Sequence, residues 1–245
     1  MTYLSLPLLA FLSLIAFPAQ AEGLSEAQKK EINVLIENYI KENPKVMLDS
    51  VLKYQEDQAK AEEAKMNEGV KNFVPSLKDN AHLPEAGSPK GDVTVVEFFD
   101  YNCGYCKKGF EPLQKLINED KNVRVIFIDL PILGPSSREA SKWALAAHRQ
   151  KKYFEYHQAL MTYQGQKDEA NLERIAKEVG LDVKKAKKDK EDPSIEAELT
   201  KNEALAASIS VQGTPAFVVN DQIVRGYMEY DVLSGMVSSA RTAKK

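Results

Sequence analysis

Cys103 and Cys106, the chain's two cysteines, stand with two residues between them in EFFDYNCGYCKK, residues 97–108. Thiols at this spacing can be a redox couple, half of a metal site or a structural staple. As a staple the bond closes too short a loop to constrain much of the unfolded chain. A chain of 245 residues can also bury a core without one. A closed zinc site wants four ligands, and beyond the thiols there are His82, His148 and His157, none at finger-like spacing. Soft thiolates would suit Cu(I), held between two copies of the chain. The redox reading asks least of the rest of the sequence, because the pair directly follows a strand-like stretch and opens a helix-like one.

At the first turn of a helix, unpaired backbone N–H groups and the positive end of the macrodipole favour an anion. A free thiol titrates near ~8.5, and this placement lowers it, so Cys103 is expected to be the thiolate that attacks a disulfide. Cys106, one turn further in and less exposed, is expected to resolve the mixed disulfide. Gly104 and Tyr105 between them tune the relative stability of thiolate and disulfide. Glu97 interrupts an apolar strand six residues before Cys103. Burial beneath the thiols would raise its pKa and let it exchange a proton with Cys106; the alternative is a solvated glutamate at a sheet edge. Gly213-Thr214-Pro215 leads into a later strand, and a proline at that place is not informative by itself.

These residues need a frame. DVTVVEFF, 92–99, reads as a buried strand bounded by turn residues. From Cys103 to about Glu119, Phe110, Leu113, Leu116 and Ile117 share a helical face, and Pro112 predicts a kink. VRVIFIDLP, 123–131, is a second buried strand, so the two imply a parallel βαβ unit. Residues 136–209 are helical in pattern, and DVKKAKKDKED within them reads as a solvated helix surface. TPAFVVN and QIVRG are strands joined at Asn220-Asp221, and 230–243 is a closing helix. The order is βαβ, a helical block, then ββα, an α/β thioredoxin core with an inserted helical domain.

Ahead of it, Ser25 and Gln28 form an S-x-x-Q capping box. Ile32, Leu35, Ile36, Tyr39 and Ile40 then make one apolar stripe, Asn43-Pro44 ends that helix, and Pro44 opens the next. Val46, Met47, Leu48, Val51 and Leu52 follow, before a very polar stretch to residue 72 that reads as a solvated linker. Held away from the core by that linker, the apolar faces are expected to associate with copies of themselves; the alternative is that they dock on the main domain. Residues 76–91 read as a loop-rich lead-in.

Residues 1–21 carry no charged side chain and are apolar through Phe17. They break at Pro18 and offer Ala19-Gln20-Ala21, the pattern of a secretory signal peptide. Export to an oxidising compartment suits a cysteine pair. With 43% hydrophobic and 28% charged residues the rest is an ordinary globular composition, and a net charge of −3 gives no reason to expect nucleic-acid binding. The expected division is a signal peptide at 1–21, a helical oligomerisation segment and linker at 22–75, and the thioredoxin-like domain at 76–245.

EFFDYNCGYC together with GTPAFVVN resembles the DsbA-like family of bacterial periplasmic thiol–disulfide oxidoreductases, over about residues 92–243. The resemblance implies Cys103 as nucleophile, Cys106 as resolving thiol, and Glu97 as the family's buried acid. It implies Pro215 as a cis-proline beside the thiols, with Thr214 contacting substrate backbone. It also implies no cofactor beyond the Cys103–Cys106 disulfide. Gly104-Tyr105 stands where the strongly oxidising archetype has Pro-His, whose histidine stabilises the thiolate, and Thr214 replaces its valine; both point to isomerase and reductase members. The N-terminal helices resemble oligomerising members, the suppressor-of-copper-sensitivity C proteins, Com1-like outer-membrane antigens and dimeric DsbA-like variants.

The expected function is therefore a periplasmic disulfide isomerase or reductase acting on cysteine-containing exported proteins, forming a homodimer or homotrimer through residues 24–72. It would be kept reduced by a membrane donor of the DsbD or ScsB kind. The alternatives are a dithiol oxidase served by a membrane oxidant of the DsbB kind, and a non-catalytic copper-binding or outer-membrane-associated surface-antigen protein.

Overall fold

The computed structural model describes residues 23–77 and 82–243; the expected signal peptide lies outside them. The chain divides into two units, Met1–Gln58 and Ala59–Lys245. The described part of the first holds helix α1 (Glu26–Glu42) and the start of α2 (Pro44–Ser76). The expected capping box is present: the Gln28 backbone N–H donates to Ser25 Oγ at 3.3 Å and the Ser25 N–H donates to Gln28 Oε1 at 2.9 Å. Ile32, Leu35, Ile36, Tyr39, Val46, Met47, Leu48, Val51 and Leu52 are all exposed.

The second unit contains the rest of α2, then β1 (Glu85–Gly87), β2 (Val93–Phe99), α3 (Gly104–Glu119) and β3 (Val123–Asp129). The inserted helices follow as α4 (Pro135–His148), α5 (Tyr153–Thr162), α6 (Glu169–Glu178), α7 (Val183–Lys190) and α8 (Pro193–Ser208). The chain closes with β4 (Ala216–Val219), β5 (Gln222–Arg225) and α9 (Tyr230–Thr242). The strands form one sheet in the order β1-β3-β2-β4-β5. β2 is its centre, parallel to β3 and antiparallel to β4. This is the expected thioredoxin fold with a helical insertion.

Alternation along β2 divides the core. Val93, Val95 and Phe99 pack with Phe110, Leu113 and Leu116 of α3 and Leu233 and Val237 of α9. Val96 and Phe98 point to the opposite face and pack with Val70, Phe73 and Leu77. A strand covered on both faces must be apolar at nearly every position, which is why VTVVEFF carries a near-continuous hydrophobic run.

Three expectations change. Residues 85–87, within the expected loop, form β1, paired antiparallel to β3 with Glu85 opposite Ile126; three residues beside Pro84 are too few to show alternation. The stretch that reads as a solvated linker to residue 75 ends inside the thioredoxin-like domain instead. Val70, Phe73 and Leu77 recur on one helical face and are buried, with the Phe73 and Phe98 ring centroids 5.7 Å apart. Lysine-rich α7 is only partly a solvated surface, because Ala186 and Lys190 are buried and Lys190 pairs with Glu139 and Glu191. From its burial, Phe73→Ala is expected to cost about 3–5 kcal/mol of unfolding free energy in urea. A loss under about 1 kcal/mol would mean the end of α2 is not part of this core.

Candidate functional site

The site begins where β2 leaves the sheet. Asp100 ties the turn together: its Oδ1 accepts from the Asn102 N–H at 2.7 Å and its Oδ2 from the Leu133 N–H at 2.9 Å. The Cys103 N–H donates to the Asp100 carbonyl at 3.0 Å. Cys103 is thereby delivered to the N-cap of α3 in extended conformation, and its Sγ accepts from the Cys106 N–H at 3.3 Å. A cap position normally filled by Ser, Thr, Asp or Asn is filled by sulfur, which puts the orphan donors of the first turn around a thiol.

The electrostatic result is an asymmetric pair of free thiols. Cys103 is lowered from 9.0 to about 6, chiefly by hydrogen bonding from the Cys106 side chain; Thr214 and the backbone N–H groups of Cys106 and Tyr105 add to this against the opposing cost of burial. Cys106 is wholly buried and pushed far up by desolvation, by its bond to Cys103 and by the charge of Glu97. Gly104 and Tyr105 lie between them at the surface, with Tyr105 67% exposed.

Glu97 is not at an edge. It sits in the central strand between Phe127 of β3 and Phe217 of β4, fully buried, and neither carboxylate oxygen has a hydrogen-bond partner. It shares the alternation face of Val95 and Phe99, the side on which α3 and both thiols pack. Burial, then the charge of Cys103, raises it from 4.5 to about 8. An unpartnered buried acid favours its neutral form, so near neutral pH it holds a proton within electrostatic reach of both sulfurs.

Thr214 and Pro215 arrive from the loop before β4, and the peptide between them is cis. The Thr214 carbonyl accepts from Cys103 Sγ at 3.3 Å. The structure thus brings Cys103, Cys106, Glu97, Thr214 and Pro215 together, with Gly104 and Tyr105 on the rim.

Beside the thiols lies a buried polar chain that sequence reasoning did not single out. His157 is enclosed by Phe99, Tyr101, Phe110, Phe127, Tyr153 and Phe154. Its Nδ1 is 3.1 Å from the Tyr101 hydroxyl, and burial lowers its pKa to about 3, keeping it neutral. The Tyr153 hydroxyl donates to Asp129 Oδ2 at 2.8 Å, and burial raises Asp129 to about 7. Asp129 ends an apolar strand as Glu97 interrupts one, and that was the available signal. Among the described residues no group of three or more His, Cys, Asp or Glu side chains is arranged to hold a metal ion. No described helix is long and apolar enough to cross a membrane.

Residues 94–238 match the family model of the DSBA-like thioredoxin domain. Among curated proteins, one named Na(+)/H(+) antiporter NhaA 1, from Salinispora arenicola, is 30% identical over 178 residues, 71% of this chain and 27% of that protein. The chain therefore spans about a quarter of the length of that relative. Disulfide bond formation protein D of Bacillus subtilis is 26% identical over 187 residues, covering 69% of this chain and 81% of that one. A solved thioredoxin-like oxidoreductase from Silicibacter pomeroyi is 44% identical with a TM-score of 0.66, covering 68% of this chain and 96% of its own. A linker-deletion variant of ScsC from Proteus mirabilis is 28% identical with a TM-score of 0.66, covering 92% of this chain and 100% of its own.

Proposed function

From the premise that the chain belongs to the DSBA-like thioredoxin domain family, we propose that it is a periplasmic thiol–disulfide oxidoreductase that isomerises or reduces disulfides of exported proteins. The observation that carries this is the division of labour at α3: an acidified Cys103 thiol at the N-cap and a buried, unacidified Cys106 behind it, with Glu97 beneath.

The Cys103 thiolate attacks one sulfur of a substrate disulfide. A Cys103–substrate disulfide forms, the substrate S–S bond breaks, and the second substrate sulfur leaves as a thiolate. In isomerisation, a substrate thiolate later attacks the substrate sulfur of that mixed disulfide and frees Cys103, with no net change in electrons. In reduction, once Cys103 is tied up in the mixed disulfide and its charge no longer raises Glu97, the ionised fraction of Glu97 takes the Cys106 proton, and Cys106 attacks Cys103 Sγ. The Cys103–Cys106 disulfide forms, the substrate leaves fully reduced, and the enzyme has given up two electrons. A membrane donor must return them. Thr214 and Pro215 would line the strand-like substrate segment beside Cys103.

The direction rests on three features. Gly104-Tyr105 offers no histidine to stabilise the thiolate, Thr214 stands at the cis-proline, and the first unit exposes an apolar face suited to self-association. Oligomerisation would bring several Cys103 thiols to one misfolded client. The ScsC match, covering 92% of this chain, takes in helical residues ahead of the thioredoxin-like domain. The oxidase reading has its own support in Cys103 at about 6. That lies between the ~7 of a reductant such as thioredoxin and the ~3.5 of a strong oxidant, and a stabilised thiolate makes the disulfide more oxidising.

Deleting residues 24–58 separates the readings. The expected product is a monomer that still oxidises and reduces dithiols but no longer unscrambles a substrate with mispaired disulfides. A truncated protein that unscrambles as fast as the full chain would remove the oligomer from the mechanism and favour the oxidase.

A further inference from the structure

Next to the thiols, on the side of the helical insertion, is a cleft of about 570 Å³ lined by Asn102, Lys107, Lys167 and the 164–168 loop. Its position follows from the chain. Asn102 precedes Cys103, and Lys107 lies one turn along α3 from it, its N–H bonded to the Cys103 carbonyl. The Asn102 amide donates to Ser136 Oγ at 2.8 Å and Ser137 Oγ at 2.9 Å, holding this wall to the start of α4.

The cleft is unusual in its charge. Lys167 is only 4% exposed, yet no carboxylate among the described residues makes an ion pair with it. Its nearest electrostatic neighbours are the like-charged Lys107 and the carboxylate of Asp100. Asp100 is committed to the backbone N–H groups of Asn102 and Leu133, and Asp168, also on the wall, caps α6 through the Asn171 N–H at 2.9 Å. Lys107 reaches only a neutral acceptor, the Tyr163 carbonyl, at 2.7 Å. Burial and the neighbouring ammonium lower Lys167 to about 8. Holding two ammonium groups together, one of them buried and in no direct ion pair, is costly, and an anion that joins them offsets that cost.

We propose that this cleft is a subsite for an acidic side chain of the substrate, an aspartate or glutamate within a few residues of the cysteine that reacts at Cys103. The proposal rests on the oxidoreductase reading and narrows its substrate class. A peptide disulfide-linked to Cys103 advances at most ~3.6 Å per residue, so a carboxylate one to three positions from its cysteine reaches up to ~11 Å from it, and Lys107 lies one helical turn, ~5.4 Å, along α3 from Cys103. Two lysines against the one wall carboxylate, Asp168, leave the cleft with an excess of positive charge, and such a cleft concentrates the opposite sign and raises association rates by about tenfold or more.

The test uses the full-length protein and matched peptide disulfides whose cysteine is flanked by Glu, Gln or Lys. The reduced protein is expected to react in the order Glu, Gln, Lys, with about tenfold between Glu and Gln at low ionic strength, shrinking as salt shortens the Debye length. Lys167→Met is expected to erase the order among the three peptides, while Lys167→Arg keeps it. Equal rates for all three peptides with the parent protein, or an equal slowing of all three in Lys167→Met, would overturn the subsite. A second arm titrates the parent protein with unreactive peptides carrying serine for cysteine, where tighter binding of the Glu peptide is expected. Glu-selective binding without any thiol exchange would uphold the cleft and sink the oxidoreductase reading. Exchange without selectivity in either arm would do the reverse.

Discussion

Cys103→Ser reduces thiol–disulfide exchange to the uncatalysed background, whereas Cys106→Ser still attacks and accumulates a mixed disulfide with its substrate. The two outcomes follow from the opposite displacement of two chemically identical thiols. Only a thiolate attacks a disulfide at a useful rate, and the donors at the start of α3 bring Cys103 down to about 6. Cys106, sealed from water and pushed up, cannot substitute. The parent's rate of attack is expected to be half-maximal near pH 6 and to fall about tenfold for each further pH unit below it, as the thiolate fraction does. Non-reducing gels of acid-quenched reactions, with a scrambled or disulfide-linked substrate, measure both variants. Exchange persisting in Cys103→Ser, or no trapped adduct in Cys106→Ser, would reverse the assigned roles.

The second large effect belongs to Glu97. An unfolded chain releases this proton near 4.5 and the folded dithiol form near 8. The folded-state value is the higher one, so the associated stability is whole below pH 4.5, is lost as pH rises from 4.5 to about 8, and is constant beyond. The displacement corresponds to about 5 kcal/mol. Glu97→Gln removes the titration and keeps the shape. It is expected to be progressively more stable than the parent across that window, reaching a gain of several kcal/mol at pH 8. Asp129, raised from 3.8 to about 7 in the same direction, stays in both proteins, so their difference isolates Glu97. The same variant should resolve mixed disulfides more slowly, because Cys106 loses its proton acceptor, while attack by Cys103 is little changed. Urea titrations of the reduced proteins at a series of pH values measure the first effect. A pH-independent difference between parent and variant would mean Glu97 is not a buried neutral acid.

Glu97 also shows how far sequence carries. A charged residue inside VTVVEFF is legible as an anomaly, but burial and an edge position produce the same letters. The choice is made by strands β3 and β4 flanking β2, which bring Phe127 and Phe217 to either side of it. The end of α2 reads as linker in sequence for a related reason. Val70, Phe73 and Leu77 are three apolar residues after a long polar run, and what gives them weight is Phe98 of the central strand, which packs against Phe73. His157 carries no local pattern and Asp129 only its place at the end of an apolar strand, because the partners that give them meaning, Tyr101 and Tyr153, lie on other elements.

The local matters are legible in the sequence: the capping box at Ser25, the proline opening α2 and the strand–helix junction at Cys103. Each depends on residues within a few positions, where backbone hydrogen bonding and side-chain periodicity act. The tertiary structure alone decided what lies against what. Thr214 meets Cys103 across 111 residues of sequence, Glu97 lies beneath both thiols, and Lys167 joins Lys107 in a cleft that neither lysine announces. Such approaches are set by how whole elements pack to bury their apolar faces, and that packing is not written in the spacing of any one segment.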